Sequence, residues 1–300
     1  MKLKILTALA FIGILGCNPA ESQKSQQIDL DLSQEFRNYW YDGTAELTRY
    51  KLEQARYGEI HEGDAVLIYV TEEFRTDKQV KYEGGDRKNV APILKLNSTK
   101  TFNTGVYPYS LMSSIFSRLD QNELVKVTTS CQDWCGHSFT QLNKQKGDAY
   151  KISSFSYFQS EGDQEVKVAA PHVEDDVWVQ IRKDPSVLPT GKIKMLIGTQ
   201  FSRMKHDELK AYSATASHSK TGTTNSYTID YPELNRTLVI NYESSFPYTI
   251  LGWEETLESG FGSNKKVLTT RATMTHQIKS PYWSKHGLED AGLRKELGLD

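Results

Sequence analysis

The sequence predicts a mainly β protein: large antiparallel β-sheet(s), built as a half-open barrel wrapped on a helix or as two packed β-rich halves, with a few short helices. Three observations carry this. Alternation of apolar and polar residues with period two dominates from about Thr44 onward, turn signals separate the alternating runs, and runs with helical spacing are few. Strands joined by short turns pair antiparallel, because a parallel pair needs a long crossover. Three hundred residues, 38% of them hydrophobic, suffice for a self-supporting core.

Taken in order, SQEFRNYW (33–40) reads as a short helix closing one end. AELTRYKLEQA (45–55) alternates, GEIHEGD (58–64) turns, and AVLIYV (65–70) is a continuous apolar run able to bury both faces. YEGGDRKN (82–89) is a second turn, followed by the strand PILKLN (92–97). YSLMSSIFSRL (109–119) reads as a second helix. In ELVKVTTSC, Val125, Val127, Thr129 and Cys131 are expected on one face, and the next segment alternates around the turn NKQKGD.

PHVEDDVWVQIRKDP is helical between Pro171 and Pro185, with Val173, Val177, Trp178 and Ile181 on one face. Its Glu174, Asp175 and Asp176 suggest a cation site, but acids in a first turn and Arg182 and Lys183 in a last turn are what the helix dipole favours. Strands follow at 165–170, 192–198, 226–231, 237–242 and 266–275, with YPELNR (231–236) as a hairpin connection and LEDAGLRKEL (288–297) as a C-terminal helix. YPYSLM (107–112) echoes FPYTIL (246–251), and KVTTS (126–130) echoes KVLTT (266–270). These echoes suggest β-rich halves at 31–160 and 161–300, with one continuous domain as the alternative.

The N-terminus carries an address. Lys2 and Lys4 precede an apolar run from Ile5 to Leu15, too short to span a bilayer and proportioned like a signal-peptide core. Ile14-Leu15-Gly16-Cys17 resembles a bacterial lipobox, with residues 1–16 removed and Cys17 lipidated. Acyl chains contribute roughly 0.8 kcal/mol per buried methylene, so several anchor stably. Residues 17–30 are polar and read as a flexible tether. Asn18 after the cysteine resembles outer-membrane sorting. The expected location is therefore the cell envelope, with the membrane as partner through the lipid.

The formal net charge of -2, with both signs mixed and no basic stripe, argues against nucleic acid as a partner. Apart from Cys17, the thiols are Cys131 and Cys135. On an extended strand they lie about 13 Å apart, beyond disulfide reach.

DWCGHSF (133–139) is the sharpest chemical motif. It is one residue short of a disulfide-isomerase centre, with Ser138 where the second thiol would stand and no helix following. Kept extended, it would align Asp133, Cys135 and His137 on one face, giving two zinc ligands or a base beside a thiol, completed by His276 or His206. The structural alternative makes Cys135 a buried small hydrophobe and Gly136 a bulge. Adjacent Glu254 and Glu255 fall on opposite faces of a strand and cannot flank one glycosidic bond. No cofactor motif occurs. Sixteen tyrosines and five tryptophans suit a β interior, and equally a cleft for a sugar or apolar chain.

YWYDGTAELTRYKLEQARYGE, GDAVLIYVTEEF, LKLN, FNTGVYPYSLM, QDWCGH, DPSVLPTGK, YPELNRTL, WEETLESGFG and LTTRAT together resemble a group of bacterial lipoproteins that circulate under the label "septum formation inhibitor Maf". The resemblance runs from about residue 39 to 284. Genuine Maf nucleotide pyrophosphatases open on Ser-x-Ser-Pro-Arg-Arg, which does not occur here, so the resemblance carries over no catalytic residue. The expected function is a lipid-anchored, non-enzymatic envelope module that binds an apolar or glycan ligand or an assembly partner. The alternative is an enzyme or metal-binding protein centred on Cys135 and His137.

Overall fold

The computed structural model describes residues 32–299; the leader, Cys17 and the whole tether (17–30) lie outside the described residues. The first run of strands is β1 (Ala45–Arg56), β2 (Glu59–Arg75), β3 (Val80–Lys81), β4 (Val90–Thr104), β5 (Tyr107–Arg118), β6 (Leu124–Asp133), β7 (Gly136–Lys144), β8 (Ala149–Ser156) and β9 (Gln164–Ala169). The second is β10 (His172–Val173), β11 (Gly191–Leu196), β12 (Ala211–Thr221), β13 (Thr224–Tyr231), β14 (Arg236–Glu243), β15 (Ile250–Ser259) and β16 (Lys266–Ser280). The helices are α1 (Gln34–Trp40), α2 (Glu174–Lys183), α3 (Thr199–Lys205) and α4 (Gly292–Glu296).

All sixteen described strands belong to one sheet, antiparallel except for the short parallel pair β10–β11. Its order runs from β10 through β11 to β16, then β1, β2, β4 and on to β9, with β3 appended to β2. Edge strands β9 and β10 stand at opposite ends of that order, yet only Ala170 and Pro171 separate them in the chain. Such a link spans about 10 Å. The sheet must therefore curl until its edges meet, as a right-handed strand twist allows. Because β1 pairs with both β2 and β16, the two runs share one sheet and one core.

The curl closes around α2. Its Val177, Val179 and Ile181 are buried, and so are Glu174, Asp175, Gln180 and Arg182. A helix buried all round is a core element. The expected single apolar face does not describe it, since polar residues here find partners inside the barrel. Helix α1 caps one end: Ser33 accepts the Phe36 amide at 3.1 Å, and Phe36 and Trp40 pack into the core. The continuous run 65–70 is buried on both faces because Tyr282, Leu297 and Leu299 of the C-terminal segment cover Val66 and Val70 from outside.

Three local expectations are corrected. Residues 109–118 belong to strand β5, whose Tyr109, Leu111, Ser113, Ile115 and Ser117 are buried at period two. Outward-facing Phe116 packs on Phe74, Ile93 and Val125, and those apolar residues on both faces mask the alternation. The turn expected over 58–64 is only Tyr57-Gly58, both at positive φ (54° and 82°), a two-residue hairpin geometry. Val125 does not share the face of Val127, because a bulge opposite Phe116 and Ser117 turns it to the outer cluster.

Candidate functional site

Inside the barrel the acids of α2 are individually engaged, which corrects their reading as simple partners of the helix dipole. Glu174 meets Arg236 of β14 (Nη2···Oε1 2.7 Å) and accepts from the Tyr231 hydroxyl at 2.7 Å. Burial pushes the Glu174 carboxyl up, but Arg236 and Tyr231 outweigh it and hold it below the usual range. Arg236 also reaches Glu255 of β15 at 2.6 Å and stacks over Phe201 at 3.8 Å. At the helix's other end, Arg182 grips Glu46 (2.7 Å) and is sandwiched between Trp40 and Tyr69. Asp176 bonds Gln180 at 2.8 Å.

Asp175 lacks a cationic partner. It accepts from the Thr199 amide at 3.0 Å and the Thr199 hydroxyl at 2.9 Å. Burial first, and Glu174 second, push its carboxyl up to about 7. The Thr199 hydroxyl continues to Thr129 and on to Ser113 in steps of 2.6 Å. This chain of hydroxyls runs from α3 across β6 to β5 and fastens the helices to the wall.

Between α2, α3 and the inner faces of β1, β4, β5, β14 and β15 lies a cavity of about 80 Å³. Its lining combines the tryptophans Trp178 and Trp253, edge to face at 5.1 Å, with Ser98, Gln54, Gln200 and several charged groups. Lys100 is the least compensated of these. The inward parity of Leu94 and Leu96 on β4 carries Ser98 and Lys100 to the inside. Its ammonium stands 5.8 Å from the Trp253 ring and, among the described residues, makes no ion pair or hydrogen bond. Surrounded by protein, Lys100 keeps part of its surface open to the cavity, and burial lowers its pKa. Glu255 points into this cavity while Glu254 is exposed, as expected for neighbours on a strand.

The DWCGHSF segment does not assemble the constellation that an extended chain would give. Asp133 pairs with Gly136 across a two-residue turn, so Trp134 and Cys135 form the tip of the β6–β7 hairpin. The turn reverses the chain: Asp133 is buried on the inner face, whereas His137 is exposed opposite Gln132. Asp133 accepts the Cys135 amide at 2.6 Å, a local turn bond, and Arg203 approaches its other oxygen at 3.7 Å. Cys135 is exposed, which also corrects its reading as a buried hydrophobe. Desolvation and then Asp133 push its thiol up, the wrong direction for a nucleophile. Cys131 is buried among core residues, 1% exposed.

His206 bonds Glu161 and Arg203, and the His276 ring lies beside Gly298. Among the described residues no group of three His, Cys, Asp or Glu side chains is placed to hold a metal ion. Nor is any described helix long and apolar enough to cross a membrane.

No family model matches the chain, and no curated protein does. Among solved structures, it is similar to a beta-barrel-like protein of domain of unknown function DUF1849 from Brucella abortus, at 6% identity and a TM-score of 0.41, over 79% of this chain and 98% of that one. A porin-like protein from Bacteroides uniformis matches at 7% identity and a TM-score of 0.22, over 77% of this chain and 95% of that one.

Proposed function

We propose that this chain is a lipid-anchored outer-membrane protein of the lipoprotein group it resembles, acting as a non-enzymatic module that binds a glycan unit within its curled sheet. One observation carries the ligand: an interior cavity lined by two tryptophans beside hydroxyl, amide and charged groups. Aromatic faces stack on sugar rings while convergent polar groups fix their hydroxyls. The apolar alternative fits less well. Leu67, Leu96, Leu111, Leu238 and Leu257 contribute to the lining of this cavity of about 80 Å³, but an alkyl chain would leave the polar groups between them, Gln54, Gln200 and Lys100 among them, without a partner.

Tryptophan emission of the purified full chain, titrated with glucose, N-acetylglucosamine and glucuronate, tests this. A saturable change with at least one sugar, abolished in Trp253→Ala, is expected; no response to any overturns the glycan reading. For the anchor, intact mass of the membrane-extracted protein should show a diacyl or triacyl Cys17 as first residue. An uncleaved, unmodified Cys17→Ser product supports that assignment, and an unmodified wild-type chain overturns it.

A further inference from the structure

We propose that the group seated in this cavity is an anion, a carboxylate, phosphate or sulfate, and that Lys100 is its counter-charge. The inference deepens the ligand-site reading and depends on it.

The lining carries four cations, Arg56, Lys100, Lys205 and Arg236, and three carboxylates, Glu174, Asp175 and Glu255. Two of the carboxylates, Glu174 and Glu255, are spent on one cation, Arg236. The third, Asp175, turns away to the Thr199 amide and hydroxyl. The remaining cations have no acid. Arg56 donates to the Met204 carbonyl and to Tyr57 and Tyr109, leaving its buried Nε without a partner. Lys205 donates to the Glu258 carbonyl at 2.6 Å.

Only Lys100 combines an unengaged ammonium with surface open to the cavity. An ammonium partly withdrawn from water and facing the Trp253 ring gains some attraction from it, but less than an anionic partner gives. The cavity therefore favours a negative guest, which restores the missing partner in a low-dielectric setting where a charge-assisted hydrogen bond is strong. Phosphate, sulfate and carboxylate share this chemistry, and a sugar acid would pair its carboxylate with Lys100 and lay its ring beside the tryptophans.

The test uses the purified full chain, wild type and Lys100→Met, with glucose, glucuronate and inorganic phosphate as probes read by tryptophan emission and calorimetry. Methionine keeps the stem and removes the charge, and replacing a buried ion by an apolar group is commonly tolerated. Lys100→Gln serves as a second variant should the first not fold. Glucuronate is expected to bind at least about tenfold more tightly than glucose, with the preference lost in the variant. Phosphate binding that vanishes in the variant, with both sugars silent, upholds the anion site and overturns the glycan reading. Equal affinity for glucose and glucuronate overturns the anion site and leaves the glycan reading standing. A preference unchanged in Lys100→Met overturns the role of Lys100, and silence from all three probes overturns both proposals.

Discussion

Replacing Asp175 with asparagine should change how stability depends on pH. In the folded barrel this carboxyl titrates at about 7, raised from an ordinary 3.8 by burial and then by Glu174. Below pH 4 the group is protonated in both states and contributes no pH dependence. Between about pH 4 and 7 the unfolded chain releases the proton and the folded chain keeps it, so stability falls as pH rises. Above pH 7 both states are ionised and the loss is complete. A displacement of about three pH units corresponds to about 4 kcal/mol.

Asparagine has no such proton to lose. It pays instead a cost of about 1–2 kcal/mol at every pH, because its amide cannot accept from both the Thr199 amide and hydroxyl through two oxygens. Urea unfolding of wild type and Asp175→Asn from pH 4 to 8 should therefore show lines that cross. The variant is less stable at pH 4 and more stable at pH 8, by about 2–3 kcal/mol. A gap between the two proteins that stays constant with pH refutes the assignment of a buried, late-titrating acid at this position.

Arg182→Met leaves Glu46 ionised and fully buried, and should lower unfolding stability by about 3–5 kcal/mol, most of it recovered when Glu46→Leu is added. Equal loss in the single and double variants would show that packing, not charge, sets the cost. Cys135 should label with a maleimide in the folded protein and Cys131 only in urea, given their exposure; simultaneous labelling would contradict the hairpin. Gly63→Ala places a Cβ against the Thr101 carbonyl and 2.7 Å from the Phe102 Cβ, so a thermal melt should report a destabilisation of about 1–3 kcal/mol.

Many strands with one wet face were legible, but β12 was missed, because the small Ala214 and Ala216 give its alternation little contrast. At β13 the alternation of Tyr227, Ile229 and Tyr231 with polar neighbours, and at β14 that of Leu238, Ile240 and Tyr242, interrupted only by Val239, gives both strands and the connection between them. Where a second layer covers the outside, the period fails. β5 carries Phe116 and Met112 on the side opposite Leu111 and Ile115, and serines interrupt both rows, so helical spacing fits as well as strand spacing. The hairpin at Trp134-Cys135 was hidden for another reason: a two-residue turn needs no proline or asparagine when an Asp before it supplies a side-chain acceptor. The cavity was less legible still. Parity along PILKLN already sends Lys100 inward, but only the pairing of β1 with β16 shows that its neighbours come from strands about 150 residues away. Non-local sheet closure is what one-dimensional periodicity does not contain.

That closure also explains why α2 carries so many charges. A curled sheet of sixteen strands encloses more width than alkyl side chains on one helix can fill. Long arginines reaching in from the wall, Arg236 from β14, and outward from the helix, Arg182 toward β1, cross that width. Each ends in a bidentate pair with a carboxylate and lies against aromatic rings that cover the stem and the guanidinium face. Buried pairs of this kind add little net stability, yet they fix distance and orientation, because any slip strands a charge. Such pairing holds the helix at one depth and one rotation in the barrel. The space left over is consequently small, mixed in lining and fixed in shape, and Lys100, the one lining cation that makes no hydrogen bond or ion pair among the described residues, faces into it.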